Sequence, residues 1–162
     1  GFDAWNVRMD AGLSFAEGIA AQSARFPQYR PLFAAFFERW SEAVGSAIPE
    51  SLELLQTLRK NGIRTYALTN FSSENYPLVA RHFPFLNDFD GSIVSGHEGV
   101  CKPDPAIYAL LLERYSITPE RAVFIDDKLE NIEAARRLGM HGIHFTDPQA
   151  LPPALRALGL PV

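Results

Sequence analysis

The sequence has only one cysteine, Cys101, among its 162 residues. A single cysteine excludes an intramolecular disulfide and any zinc site built from several cysteines. No apolar run approaches the ~18 residues that span a bilayer, so we expect no membrane segment. The first residues also lack the basic stretch and apolar run of a signal peptide. These features favour a protein of the reducing cytoplasm.

An excess of positive charge is also missing from this chain. It has 15 Lys and Arg against 19 Asp and Glu, a net charge of −4. Proteins that bind nucleic acid by its phosphate backbone normally have a basic face, so we expect no nucleic-acid partner. The hydrophobic fraction of 47% and the charged fraction of 21% are typical of a folded globular protein and exclude disorder.

The apolar pattern divides the chain into two parts. Residues 1–46 show apolar side chains at helical spacing and no alternating strand pattern, so we predict a small helical domain there. From residue 47 to 162, helical segments alternate with short apolar runs at 63–68, 92–95, 122–125 and 142–145. This alternation predicts an α/β, Rossmann-like domain, in which helices cover both faces of a parallel sheet.

Polar residues follow two of the predicted strands. Thr69 and Asn70 come after the first, and Asp126 and Asp127 come directly after the third. Ligands of such folds bind beyond the carboxyl ends of the strands. Two adjacent carboxylates repel each other unless a cation neutralises them, and Mg²⁺ is bound in this way by one or two carboxylates, waters and phosphate. A solvated loop, or a helix cap by Asp127, is the alternative.

Lys102 lies in a loop that two prolines, Pro103 and Pro105, make stiff. A fixed ammonium can bind phosphate or keep a neighbouring carboxylate ionised. The hydroxyl of Thr69 and the amide of Asn70 are donors suited to phosphoryl oxygens. Each feature alone is compatible with a surface lysine or a turn. Together they predict one pocket that binds an anion beside a cation.

Three motifs follow one another along the chain: Leu68-Thr69-Asn70, Lys102-Pro103-Asp104, and Phe124-Ile125-Asp126-Asp127 followed by Asn131. They resemble the second, third and fourth motifs of the haloacid dehalogenase-like hydrolase superfamily. The similarity runs from about residue 49 to residue 145. Residues 1–46 are similar to the small helical cap of its capped, phosphatase-like branch.

The resemblance implies Mg²⁺-dependent hydrolysis of a small phosphorylated metabolite through an aspartyl phosphate. It implies that Thr69, Asn70 and Lys102 bind phosphate, and that Lys102 and Asp127 are catalytic. Asp126 and Asp127 would hold the metal, with Asp127 the direct ligand. Trp5, Arg8 and Trp40 of the cap are candidates for contacts with the substrate, although packing in the cap core is the favoured explanation for the two tryptophans.

The first motif of the family, an apolar strand that ends in Asp-x-Asp, has no match before Thr69. Asp3 and Asp10 do not follow an apolar strand. In the family this motif carries the nucleophile, on a central strand between those that end at Thr69 and Asp126. We therefore expect the nucleophilic aspartate upstream of residue 1, and residues 1–162 to be inactive without it.

Three alternatives differ from this prediction in testable ways. A 2-haloacid dehalogenase has the same fold and needs no metal, and a protein that has lost its nucleophile would only bind ligands. Receiver domains of two-component signalling use the same residue types, but their acidic pair comes first in the chain. The sequence leaves the substrate and the oligomeric state open.

Overall fold

The computed structural model describes residues 2–162, without the side chains of residues 2, 3, 41 and 43. The chain forms two compact units. The first contains the residues up to 46 together with 69–88 and 93–101. The second contains residues 47–68, 89–92 and 102–162. Each unit is therefore built from segments that are distant in the sequence.

The first 46 residues are helical, as the apolar spacing predicts. The helices are α1 (Phe2–Asp10), α2 (Phe15–Arg25) and α3 (Arg30–Glu38), with 3₁₀ turns at Pro27–Tyr29 and Trp40–Ala43. A capping box starts α2: the Ser14 hydroxyl accepts from the Glu17 N–H, and the Glu17 carboxylate accepts from the Ser14 N–H. These bonds satisfy donors that a helix start would otherwise leave without partners.

Trp5 is the centre of the packing between these helices. It is 3% exposed, and its Nε1 donates to the Gly18 carbonyl at 2.9 Å. Its ring contacts those of Phe33 and Phe37 edge-on at 5.4 and 5.2 Å. A Cβ atom at residue 18 would lie 2.8 Å from the sulfur of Met9. Glycine is therefore the residue that lets α2 approach α1 this closely.

We expect Trp5→Ala to lower the free energy of unfolding by about 3 kcal/mol or more, because it removes a large buried ring and leaves a cavity. Urea unfolding followed by circular dichroism measures this loss. Val7→Ala on the same helix is the matched control, since Val7 is 52% exposed. Equal effects of the two substitutions would contradict the packing described here.

From residue 47 onwards, helices and strands alternate. The strands are β1 (Tyr66–Thr69), β2 (Gly91–Val94), β3 (Val123–Asp126) and β4 (His141–His144). The helices are α4 (Pro49–Lys60), α5 (Tyr76–His82), α6 (Ser95–Glu98), α7 (Pro105–Arg114), α8 (Leu129–Arg137) and α9 (Leu151–Ala157). All four predicted strands are present, and the α/β fold class is confirmed. None of the helices in the described residues is long and apolar enough to cross a membrane.

The strands form two sheets of two strands each, β1 with β2 and β3 with β4. β3 and β4 are parallel, with Val123 opposite His141 and Asp126 opposite His144. Leucines of α4 and α9 pack together, with Val123 and Ile143 against them. This core fixes the second unit and holds the end of β3 in place.

Helices over both faces of a sheet would bury every side chain of its strands, and β3 and β1 depart from this. Ile125 is 36% exposed, whereas Phe124 and Asp126 on either side of it are buried. Successive side chains of a strand point to opposite faces, so Ile125 shares a face with Val123. Val123 packs against the leucines of α4 and α9 on this face, but that packing does not extend over Ile125. The residues of β1 are all half-buried, and this strand begins at Tyr66 rather than at Ile63.

Candidate active site

A buried ion pair lies at the carboxyl end of β3. The Nζ of Lys102 donates to Asp126 Oδ2 at 2.7 Å and to the Leu68 carbonyl at 2.8 Å. The side chains of Lys102 and Asp126 are 11% and 5% exposed. One ammonium therefore connects the ends of β1 and β3. The structure brings these two predicted site residues together, although they are 24 positions apart in the chain.

The second oxygen of Asp126 is also occupied. Its Oδ1 accepts from the Lys128 N–H at 2.9 Å and from the Asn131 amide at 2.8 Å. Burial by itself raises the pKa of Asp126, but the hydrogen bonds from Lys102, Lys128 and Asn131 outweigh it and lower the pKa below its ordinary value. Asp126 is therefore an ionised carboxylate, and both of its oxygens already accept hydrogen bonds.

Asn131 holds Asp126 from the first turn of α8. It is 3% exposed, and its own carbonyl accepts from the Tyr108 hydroxyl at 3.0 Å. Burial raises the pKa of Tyr108, so the phenol remains a neutral donor. The sequence suggested Asn131 only as part of a motif and did not indicate this role or that of Tyr108. The available signal was an amide five residues after an aspartate, at the start of a helix.

Asp127 differs sharply from its neighbour. It is exposed, and among the residues that the structure describes its carboxylate has no hydrogen-bond or ion-pair partner. Its main-chain carbonyl accepts from His144 Nε2 at 2.9 Å, which fixes the backbone at the end of β3. The two adjacent acids therefore have different environments: the carboxylate of Asp126 is fixed by hydrogen bonds, whereas that of Asp127 is exposed to solvent.

The donor set of these acids fits Mg²⁺. No group of three or more His, Cys, Asp or Glu side chains able to hold a metal forms within the described part of the chain. Mg²⁺ does not require such a cage, since it keeps several waters and commonly takes one or two protein carboxylates together with substrate phosphate. Asp127 has free oxygens for direct coordination, and Asp126 is suited to a supporting position.

Thr69 and Asn70 lie at the end of β1, and both are half-buried in the first unit. The next residue, Phe71, is held through its N–H, which donates to Ser95 Oγ at 2.9 Å. This hydrogen bond positions the backbone directly after Asn70. Lys102, Asp126 and Asp127 belong to the second unit.

The candidate substrate residues of the helical segment have three different environments. Trp5 is buried between helices, and Arg8 is exposed on α1. Trp40 packs edge-on against Phe71, with 5.0 Å between the ring centroids, and lines a small pocket that includes Asn70. Of the three, only Trp40 therefore lies beside a predicted phosphate-binding residue.

Comparison with known proteins gives a family match over most of the chain. A family model described as haloacid dehalogenase-like hydrolase matches residues 9–139. The chain is 37% identical over 105 residues to a sesquiterpene phosphatase from Aspergillus oryzae, covering 65% of this chain and 54% of that protein. It is 44% identical over 96 residues to a phosphorylated carbohydrates phosphatase from Thermotoga maritima, covering 59% of this chain and 44% of that protein.

The chain spans 54% or less of the length of these curated relatives. Among solved structures, it is similar to a magnesium complex of a HAD family enzyme from Bacteroides thetaiotaomicron. The TM-score is 0.78 at 22% sequence identity, covering 96% of this chain and 81% of that one. This likeness shows a shared fold.

Proposed function

Because the chain belongs to the haloacid dehalogenase-like hydrolase family, we propose that it carries phosphate-binding and metal-binding residues of a Mg²⁺-dependent phosphomonoesterase. The observation that carries this proposal is the contrast at the end of β3. Asp126 is neutralised by Lys102 at 2.7 Å, while the adjacent Asp127 is open. The ion pair with Asp126 holds the ammonium of Lys102 in a fixed position, and the carboxylate of Asp127 is free to bind a metal ion.

Each predicted residue has a separate role in the proposed reaction. Lys102 stabilises negative charge on the phosphoryl group, and its bond to the Leu68 carbonyl keeps the ammonium in place. Thr69 and Asn70 donate to phosphoryl oxygens. Asp127 holds Mg²⁺ directly, and Asp126, oriented by Asn131, supports it. The bound metal would neutralise charge on the phosphate and orient it.

The nucleophile is proposed to be an aspartate that precedes residue 1. Its carboxylate attacks phosphorus, and a second aspartate two positions on in the same Asp-x-Asp motif gives its proton to the leaving ester oxygen, which becomes the free alcohol. That aspartate then takes a proton from the water that cleaves the aspartyl phosphate, so phosphate and both carboxyl groups are regenerated. Residues 1–162 alone would be inactive. We also propose that residues 1–46 are a partial cap and that residues 47–162 are the core domain. The proposed substrate is a small phosphorylated metabolite, which Trp5 and Arg8 would contact, and the proposed setting is the cytoplasm.

A phosphatase screen tests the proposal. The protein used is the parent chain, with whatever residues its gene encodes before residue 1. We expect hydrolysis of small phosphomonoesters in Mg²⁺, loss of activity to background in EDTA, and recovery when Mg²⁺ is restored. Activity that survives chelation would refute the metal role. Turnover of 2-chloropropionate without any phosphoester would identify a dehalogenase, and no turnover of either would favour a binding protein.

A further inference from the structure

His144 is an exposed histidine at the end of β4 that reaches the main chain of Asp127. β4 runs parallel to β3 with His144 opposite Asp126, and the Phe145 N–H donates to the Asp126 carbonyl at 2.8 Å. The imidazole Nε2 of His144 lies 2.9 Å from the Asp127 carbonyl oxygen. Because a carbonyl oxygen can only accept, Nε2 carries the hydrogen in this bond.

The peptide unit that joins Asp127 to Lys128 is therefore held at both ends. Its carbonyl accepts from His144, and its N–H donates to Asp126 Oδ1 at 2.9 Å. Since a peptide unit is planar, two hydrogen bonds at opposite ends fix the orientation of the whole unit. They thereby restrain the direction in which the Asp127 side chain leaves the main chain.

The strand that carries His144 is itself packed closely against α8. At Gly142, two residues before His144, a Cβ atom would lie 2.7 Å from Ile132 and 2.9 Å from the Nε of Arg136. The Arg136 guanidinium also donates to the Gly142 carbonyl at 2.7 Å. The main chain of β4 is thus fixed by α8 on one side and by β3 along its edge, so His144 donates from a rigid position.

Asp127 depends on its main chain for orientation. Its side chain is exposed, and among the described residues its carboxylate has no partner of its own. A ligand group that is already oriented loses less conformational freedom when it binds, which increases affinity. In metal sites, loss of a group that orients a ligand typically lowers metal affinity by about 10–100-fold.

We propose that His144 is a positioning residue of the metal site, and that its Nε2–H orients Asp127 for Mg²⁺ through the Asp127 carbonyl. The inference rests on the function proposed above, in which Asp127 is the direct metal ligand. His141 provides a matched comparison on the same strand. It is also exposed, and its Nε2 lies 3.1 Å from the Glu120 carbonyl oxygen, but it is opposite the first residue of β3 rather than the last.

Substitutions of His144 in the parent chain separate the N–H donor from the ring. His144→Phe keeps a ring without an N–H, whereas His144→Gln keeps an amide N–H that can reach the same carbonyl. The rise of Tm with Mg²⁺ measures metal binding without turnover. We expect His144→Phe to need about tenfold more Mg²⁺ for the same rise in Tm, and His144→Gln less than about threefold more. His141→Phe should respond to Mg²⁺ as the parent chain does.

Phosphatase activity provides a second readout. The Mg²⁺ concentration for half-maximal activity should increase in parallel in His144→Phe, and the rate should largely recover at saturating Mg²⁺. A merely structural role would lower Tm without Mg²⁺ but leave the required Mg²⁺ concentration unchanged.

The inference is overturned if folded His144→Phe needs no more Mg²⁺ than the parent chain, or if His144→Gln is impaired as strongly as His144→Phe. Should His144→Phe not fold, His144→Ala replaces it with the same expected result. These outcomes leave the proposed function intact. If the parent chain itself shows neither a Tm response to Mg²⁺ nor Mg²⁺-dependent hydrolysis, the proposed function fails, and the inference fails with it.

Discussion

Lys102→Met is expected to lower the free energy of unfolding by about 3 kcal/mol or more and to reduce phosphatase activity by about 10³-fold. The substitution removes an ammonium from a pair whose side chains are 11% and 5% exposed. Asp126 then carries a buried charge without its cation, and the Leu68 carbonyl loses a donor. Breaking one side of a buried ion pair costs more than the pair itself contributes, because the remaining charge has no solvent.

The double variant Lys102→Met, Asp126→Asn separates the two effects. It removes both charges, so it should regain most of the lost stability in urea unfolding while its activity stays low. Lys60→Met is the control, since Lys60 is an exposed lysine at the end of α4, and neither stability nor turnover should change. A Lys102→Met variant as stable as the parent chain would contradict the buried pair described here.

The positions of the strands were readable from the sequence because short apolar runs between helical segments are a strong local pattern. Asp126 falls at the end of β3, and Lys102 contacts it at 2.7 Å, as a stiff loop carrying a lysine suggested. The helix α4 likewise begins at Pro49 and ends just before Gly62, which has φ of +75°, and both residue types are typical of these positions. These features depend on local sequence and on a general rule for parallel sheets.

Tertiary partners were less accessible to the same reasoning. Ile125 is apolar and yet 36% exposed, because its burial depends on which parts of β3 other segments cover. The pocket beside Asn70 is lined by residues of α1 and by Asn75. No local sequence pattern predicts that these distant segments lie side by side. The Phe15 N–H, for example, donates to the Glu74 side chain, 59 positions away.

The sequence also contained no signal that Asp126 would be buried and paired while Asp127 would be exposed. Asp126 and Asp127 are the same residue type and are adjacent in the chain. Only the strand geometry directs one side chain towards Lys102 and Asn131 and the other towards solvent. The prediction that Asp127 is the direct metal ligand came from a family resemblance. The structure adds a physical reason for it, since the oxygens of Asp126 are already engaged.

Because the two acids differ in environment, the same substitution should mainly affect activity at Asp127 and mainly affect the free energy of unfolding at Asp126. Asp127→Asn should reduce Mg²⁺-dependent activity by about 10³-fold, because it removes the charge of the direct ligand, which is expected to be worth several kcal/mol in the transition state. Its free energy of unfolding without metal should stay within about 0.5 kcal/mol of the parent value. Asp126→Asn should instead lose about 2 kcal/mol, because Lys102 is left buried without its partner.

Thermal unfolding with and without Mg²⁺ provides a readout that does not depend on turnover. An ion that binds only the folded state raises Tm. Mg²⁺ should therefore raise the Tm of the parent chain and leave the Tm of Asp127→Asn unchanged. Glu130→Gln is the matched control: Glu130 is an exposed acid in the first turn of α8, and its removal should leave both the Mg²⁺ response and the activity intact. If Mg²⁺ raises the Tm of Asp127→Asn as much as that of the parent chain, Asp127 is not the direct ligand, and Asp126 would have to exchange Lys102 for the metal.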